Sequence, residues 1–203
     1  LDALQAAIIR VKLKRLAALA DVRASYACRG PVTRYRIEME LPAARPWRMR
    51  WLFPGQPASE FELDGQAGWS VAADGQRTEL DPATADMARS HAFPRLVQAP
   101  EEFLGPLEHA GAAREEGRLL ETLGAVHRPA SLFLDTATNL PVRLELGDAN
   151  DPSTRVVRVR FETWREVEGL LVPERVVAFD AYGEWVMELA EVRFVFDAEA
   201  EQA

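Results

Sequence analysis

Three histidines, one cysteine, one serine in a glycine-flanked run and several carboxylate pairs are the side chains of this sequence that could do chemistry. His91, His109 and His127 recur every 18 residues. That is five turns of a helix and would align them on one face, but Pro94, Pro100 and Pro106 forbid an unbroken helix there. None has a second histidine three or four residues away, and there is no cysteine pair, so the spacing of a metal site is missing. Gly68-Trp69-Ser70-Val71-Ala72 matches half of the hydrolase nucleophile elbow. The second glycine is replaced by Ala72, and the residues that follow predict a hairpin instead of the required helix. Cys28 lies in a predicted strand beside Arg29 and reads as a buried structural thiol, not a nucleophile. Glu101-Glu102, Glu115-Glu116 and the pair Asp148/Asp151 could share acid–base work, but adjacent or loop-borne acids are usually solvated. No glycine-rich phosphate loop occurs. The reading is a non-enzymatic chain with no metal and no cofactor. A lipid hydrolase acting through Ser70 is the least favoured alternative.

Composition narrows the classes further. The chain has 203 residues, a formal net charge of −8 and a hydrophobic fraction of 48%. That is enough apolar material for a sizeable core, and it excludes a disordered chain. The acidity excludes general nucleic-acid binding, because it adds to the repulsion from phosphates. No apolar run reaches the ~18 residues of a membrane span. Residue 1 is Leu rather than Met, so the expectation is a trimmed form from which an export signal has been removed.

The elements that must position these residues are mostly strands. Residues 2–20 lack Gly and Pro and read as a helix, with a basic cluster at Arg10, Lys12, Lys14 and Arg15 taken as a solvated face. From Val32 to Leu41, Tyr35, Ile37, Met39 and Leu41 alternate with charged residues. From Trp47 to Phe53, Trp47, Met49, Trp51 and Phe53 share a face. Asp64-Gly65 and Asp74-Gly75 mark hairpin turns. Asp81-Pro82 is a helix start, and residues 81 to about 113 read as an irregular, partly helical insertion. Strands resume near Gly117. Val142, Leu144 and Leu146 alternate with Arg143 and Glu145, and Val157, Val159 and Phe161 alternate with Arg158, Arg160 and Glu162. Glu168-Gly169 is a turn, and a parity change near Ala190 and Glu191 predicts a bulge. About a dozen short strands at regular spacing predict one all-β domain over residues 1–203.

Three stretches carry a likeness to a known group. Asp64-Gly65 is followed by Trp69 and Asp74-Gly75. Asp135-Thr136-Ala137-Thr138-Asn139-Leu140-Pro141-Val142-Arg143 turns between two strands. Phe161-Glu162-Thr163-Trp164-Arg165-Glu166-Val167-Glu168-Gly169-Leu170-Leu171-Val172-Pro173 leads into a last long strand. Over nearly the whole chain this layout resembles the bacterial periplasmic lipoprotein-carrier superfamily, the LolA/LolB-like and outer-membrane lipoprotein-sorting proteins. The resemblance implies an open antiparallel half-barrel with an N-terminal helix and a central helical insertion covering its concave face. It implies a periplasmic or outer-membrane-associated protein that holds a lipid or lipoprotein acyl chain, or that senses an envelope protein partner. It also implies an arginine on an early strand that latches the lid. Arg23, Arg34, Arg36, Arg48 and Arg50 are all open for that role. The chain stops soon after Phe196, so the long C-terminal extension of the carriers is not expected.

Under this resemblance the aromatic and sulfur positions of the dry faces become the candidate cavity wall: Tyr35, Ile37, Met39, Met49, Trp51, Phe61, Leu63, Leu144, Val159, Phe161, Trp185 and Met187. Ordinary core packing explains the same pattern. Flexible methionines and broad tryptophan faces suit a ligand of variable shape.

Overall fold

The computed structural model describes residues 19–31, 33–43, 46–65, 67–127, 129–147, 157–180 and 183–197. The expected helix over residues 2–18 lies outside them, as do Asp148, Asp151 and the acidic tail from residue 198. Leu19 and Ala20, assigned to the end of that helix by the sequence, open a strand instead.

Thirteen strands form one antiparallel sheet that does not close. In chain order they are β1 (Leu19–Arg29), β2 (Arg34–Pro42), β3 (Trp47–Leu52), β4 (Ser59–Asp64), β5 (Ala67–Val71) and β6 (Arg77–Glu79). After the helices come β7 (Leu107–Glu115), β8 (Arg118–Ala125), β9 (Ala130–Asp135), β10 (Pro141–Leu146), β11 (Val157–Val167), β12 (Leu170–Asp180) and β13 (Gly183–Phe196). The spatial order is β6-β5-β4-β3-β2-β1-β13-β12-β11-β10-β9-β8-β7. Two meanders therefore meet where the first and last strands pair, Cys28 opposite Met187 and Val22 opposite Phe194. Turn chemistry sets the hairpins. Glu116-Gly117 and Glu168-Gly169 both have positive φ at the two central residues, the twist-matched two-residue loop. The register on β13 skips Ala190 between the pairs Tyr26–Leu189 and Ser25–Glu191, so the bulge sits where the parity change placed it.

Three short helices link the meanders: α1 (Pro82–Ser90), α2 (Phe93–Leu96) and α3 (Pro100–Leu104). The insertion is shorter than its pattern indicated, because residues 107–113 belong to β7. That stretch is rich in alanine and glycine and lacks the apolar alternation by which a half-buried strand is read. Asp81 caps α1, its carboxylate accepting from the Thr84 amide at 3.1 Å, with Pro82 in the first turn. α2 and α3 have no side-chain cap, and each carries a proline in its first turn. Helices this short are marginal alone, so packing holds them.

Their placement follows from topology. β6 and β7 are the two opposite edges of the sheet, so the 27 residues between Glu79 and Leu107 must cross it. Thirteen strands laid flat span about 58 Å. The 18 helical residues rise only ~27 Å, and the other nine add at most about 32 Å, so a link drawn straight would barely match that width. The actual link bends between helices. The sheet must therefore curl, and the link becomes a strap across its concave side.

α1 sits on β4 and β5. Gly68 is the contact point: a Cβ there would lie 3.0 Å from the Ala85 Cβ and 3.0 Å from Leu63 Cδ2. Gly68→Val should overpack this seat by about 1–3 kcal/mol. For a domain of this size that lowers the thermal midpoint by ~2–12 °C. Glu79→Ala, exposed on β6, should leave the midpoint within a degree or two. Equal midpoints in a melting scan would show that α1 is not seated on β5.

Candidate functional site

The candidate site is the dry face beneath the strap. Alternation on every strand sends one set of side chains there, and register lines them up in rows. Tyr35, Cys28, Met187, Val176 and Phe161 form one row across five strands. Trp185, Ala178, Val159, Leu144 and Leu132 form a second. Met39, Met49 and Phe61 form a third, and Ile37 lies opposite Trp51. Leu63 lies opposite Trp47. All twelve residues singled out from the sequence are on this face. Nine are buried in the core, and Trp51, Phe61 and Trp185 pack against it half-buried.

The strap covers this wall with its own apolar residues, and Phe93, Leu96, Phe103 and Leu104 are at most 2% exposed. His91 lies 5.1 Å from the Trp51 ring, centroid to centroid. Phe93 meets Tyr26 at 5.9 Å and Phe161 at 6.1 Å, both edge-on. Trp51 and Phe161 are thus the predicted wall residues whose rings touch the strap. Sequence reading missed Tyr26 and Phe93. Tyr26 is fully buried, donates to the Pro173 carbonyl at 2.7 Å, and burial raises its phenol pKa. The Phe93/Leu96 and Phe103/Leu104 spacings were the available signal for an inward-facing strap.

Polar contacts tie the strap down. Arg89, 2% exposed, donates from Nε to the Gly65 carbonyl at 3.0 Å, anchoring α1 to the β4–β5 turn. Arg95 and Glu102 join α2 to α3 in a two-pronged pair, both bonds 3.0 Å. His91 Nδ1 donates to the Met87 carbonyl at 2.8 Å, since a carbonyl can only accept. Gln98, between α2 and α3, buries both ends of its side-chain amide without a hydrogen-bond partner among the described residues, and so does Trp51 Nε1.

The early-strand arginines are elsewhere. Arg23, Arg36, Arg48 and Arg50 line a trough of about 690 Å³ on the opposite, wet face of the sheet. There the charges interleave, Glu60 with Arg50 at 3.0 Å and Arg50 with Glu38 at 3.2 Å. The arginines that hold the strap are its own, Arg89 and Arg95.

The residues read for chemistry are scattered. His91 ends α1, His109 is exposed on β7, and His127 is exposed between β8 and β9. Among the described residues no cluster of metal-ligating side chains occurs. Ser70 lies on β5, its Oγ 3.4 Å from the Thr78 carbonyl across the hairpin, and no histidine lies on β4, β5 or β6. Glu102 is engaged by Arg95, and Glu115 by Arg143.

No family model and no curated protein matches the sequence. Solved structures do match the fold. A LolA superfamily protein from Nitrosomonas europaea superposes with a TM-score of 0.62 at 12% identity, covering 94% of this chain and 93% of that one. A DUF1329 family protein from Desulfovibrio piger superposes with a TM-score of 0.55 at 11% identity, covering 96% and 94%. At these identities the likeness is one of fold.

Cys28 is 3% exposed in the row of wall residues, and burial pushes its thiol up to about 12. Below that pH the folded protein holds it as the unreactive protonated form. An aromatic disulfide reagent at pH 8 should therefore label Cys28 slowly in native buffer and within seconds in denaturant. Fast native labelling would show that the wall opens to solvent without unfolding.

Proposed function

We propose that this chain binds an apolar chain, a lipid or the acyl chain of a lipoprotein, reversibly and without making or breaking a bond, between the strap and the dry face. One observation carries the reading. The apolar side of a thirteen-stranded sheet is closed by three short helices strung from edge to edge, two of them without side-chain caps. A cover held by packing can exchange its apolar contacts for those of a guest of similar chemistry. The fold's likeness to a LolA superfamily protein supports the same reading and an envelope location.

The energetics are compatible with release. Each methylene taken from water is worth about 0.8 kcal/mol, so a sixteen-carbon chain gains on the order of ten kcal/mol before ordering costs. Phe93, Leu96, Phe103 and Leu104 already occupy the face, so a guest must first displace them. That competition lowers the net affinity into an exchangeable range. A protein segment added along edge strand β7 is the weaker reading, because the register on β7 skips Ala110 and breaks the ladder a partner strand would extend.

Diphenylhexatriene, a neutral hydrocarbon that fluoresces in apolar surroundings, tests the reading. The native protein should take it up with micromolar affinity. Trp51→Glu places a charge against the strap and should weaken uptake at least tenfold, whereas Trp51→Leu should weaken it less than threefold. Absence of uptake, or uptake indifferent to the charge, would overturn the proposal.

A further inference from the structure

The dry face is not covered evenly. Along β3, Trp47 at the start is fully buried, whereas Trp51 near the other end and Phe53 just beyond it are half-buried. Neighbouring strands show the same trend. Exposure rises from 0% at Ile37 to 8% at Tyr35 on β2, and from 0% at Val176 to 8% at Ala178 on β12. On β13, Met187 is buried and Trp185 is half-buried. Register puts all four rises at one end of the sheet, because Tyr35, Cys28, Met187 and Val176 share a row and Trp185 pairs with Ala178 one step further out. That end carries the β1–β2 turn at Gly30 and the β12–β13 turn before Gly183.

Four rings fill this end and touch one another. Tyr35 is the hub. Phe53 stacks on it at 4.9 Å, Trp51 lies 5.8 Å away, and Trp185 meets it edge-on at 5.8 Å. Trp51 also lies against His91 at the end of α1, so ring contacts run unbroken from the half-exposed end to the strap. Trp185 is seated on the β1–β2 turn: a Cβ on Gly30 would fall 2.1 Å from its ring. Gly30 has no positive φ, so the ring and not the backbone requires the glycine. A half-exposed apolar set that continues a covered apolar face marks where apolar material docks. A charged head could not follow its chain further in. The strap's two buried arginines are engaged, Arg95 by Glu102 and Arg89 by the Gly65 carbonyl. A head carried beneath the strap would lose its hydration and gain no counter-ion from them.

We infer that this aromatic end is the mouth of the site. An amphiphilic guest enters tail first over Phe53, Tyr35 and Trp185. Its polar head stays at these rings in water while the tail runs past Trp51 beneath the strap. This rests on the apolar-chain reading above and adds an entrance and an orientation to it. Gly30 acts through Trp185 and is a positioning residue.

Tryptophan quenching by 5-doxylstearate and 16-doxylstearate tests the orientation. The doxyl group quenches only at short range, and it sits near the head in the first ligand and near the tail end in the second. Both should displace diphenylhexatriene from the native protein. At saturation, Trp185→Phe should at least halve the emission lost to 5-doxylstearate and leave the loss to 16-doxylstearate nearly unchanged. Gly30→Ala puts a methyl group into the seat of the Trp185 ring and should slow diphenylhexatriene uptake at least threefold in stopped flow. It tests the mouth on its own should the Trp185 variant fold poorly. Loss to 5-doxylstearate that ignores Trp185→Phe, a larger change with 16-doxylstearate, or native uptake rates in Gly30→Ala would overturn the mouth and leave apolar-chain binding standing. No uptake of diphenylhexatriene by the native protein would overturn both.

Discussion

One length constraint organises this molecule. The chain leaves the sheet at one edge and must re-enter it at the other within 27 residues. Hairpins alone would permit a flat ribbon. The strap does not, because its reach falls short of the ribbon's width once its helices bend. Curvature is therefore enforced by the link as much as by strand twist. The same constraint puts the strap on the concave side and aims Phe93 and Phe103 at the wall. The pairing of β1 with β13 completes the arrangement, since it joins two meanders that would otherwise be separate sheets.

A concave wall with its own internal plug behaves differently from an open hydrophobic pocket. An uncovered dry face would expose a large apolar patch and invite aggregation. Here the strap covers that face with Phe93, Leu96, Phe103 and Leu104. The plug is anchored firmly at one end, where Arg89 holds α1 to the β4–β5 turn. The α2–α3 part is joined to itself by Arg95 and Glu102.

Much of this was legible in the sequence, for a physical reason. Strands with one wet and one dry face alternate strictly, so Tyr35, Ile37 and Met39, and separately Val159 and Phe161, announce their side. The register could not be read, yet it is what places Tyr35 and Phe161 in one row across five strands. The bulge at Ala190 was visible because a parity change is local. β7 was missed because Ala110, Gly111, Ala112 and Ala113 carry no apolar period. The strap's anchors were missed for another reason. An arginine on a helix looks like a solvated charge until topology shows that its helix lies across a core. Arg89 and Arg95 are 2% and 6% exposed, and nothing in their neighbours announces it.

The wet face of the sheet is charged and largely paired with itself. Cross-strand pairs run over it, among them Arg50 with Glu60 and Glu38, Arg175 with Glu162 and Glu188, and Arg158 with Glu145. Glu62, little exposed, is held by both Arg48 and Arg77. Exposed pairs of this kind add at most about 1 kcal/mol each, so they are not the source of stability. The edges are blunted as well, β6 by its length of three residues and β7 by its bulge at Ala110. With its outer charges paired and both edges short or interrupted, the sheet keeps its apolar residues on the dry side, under the strap.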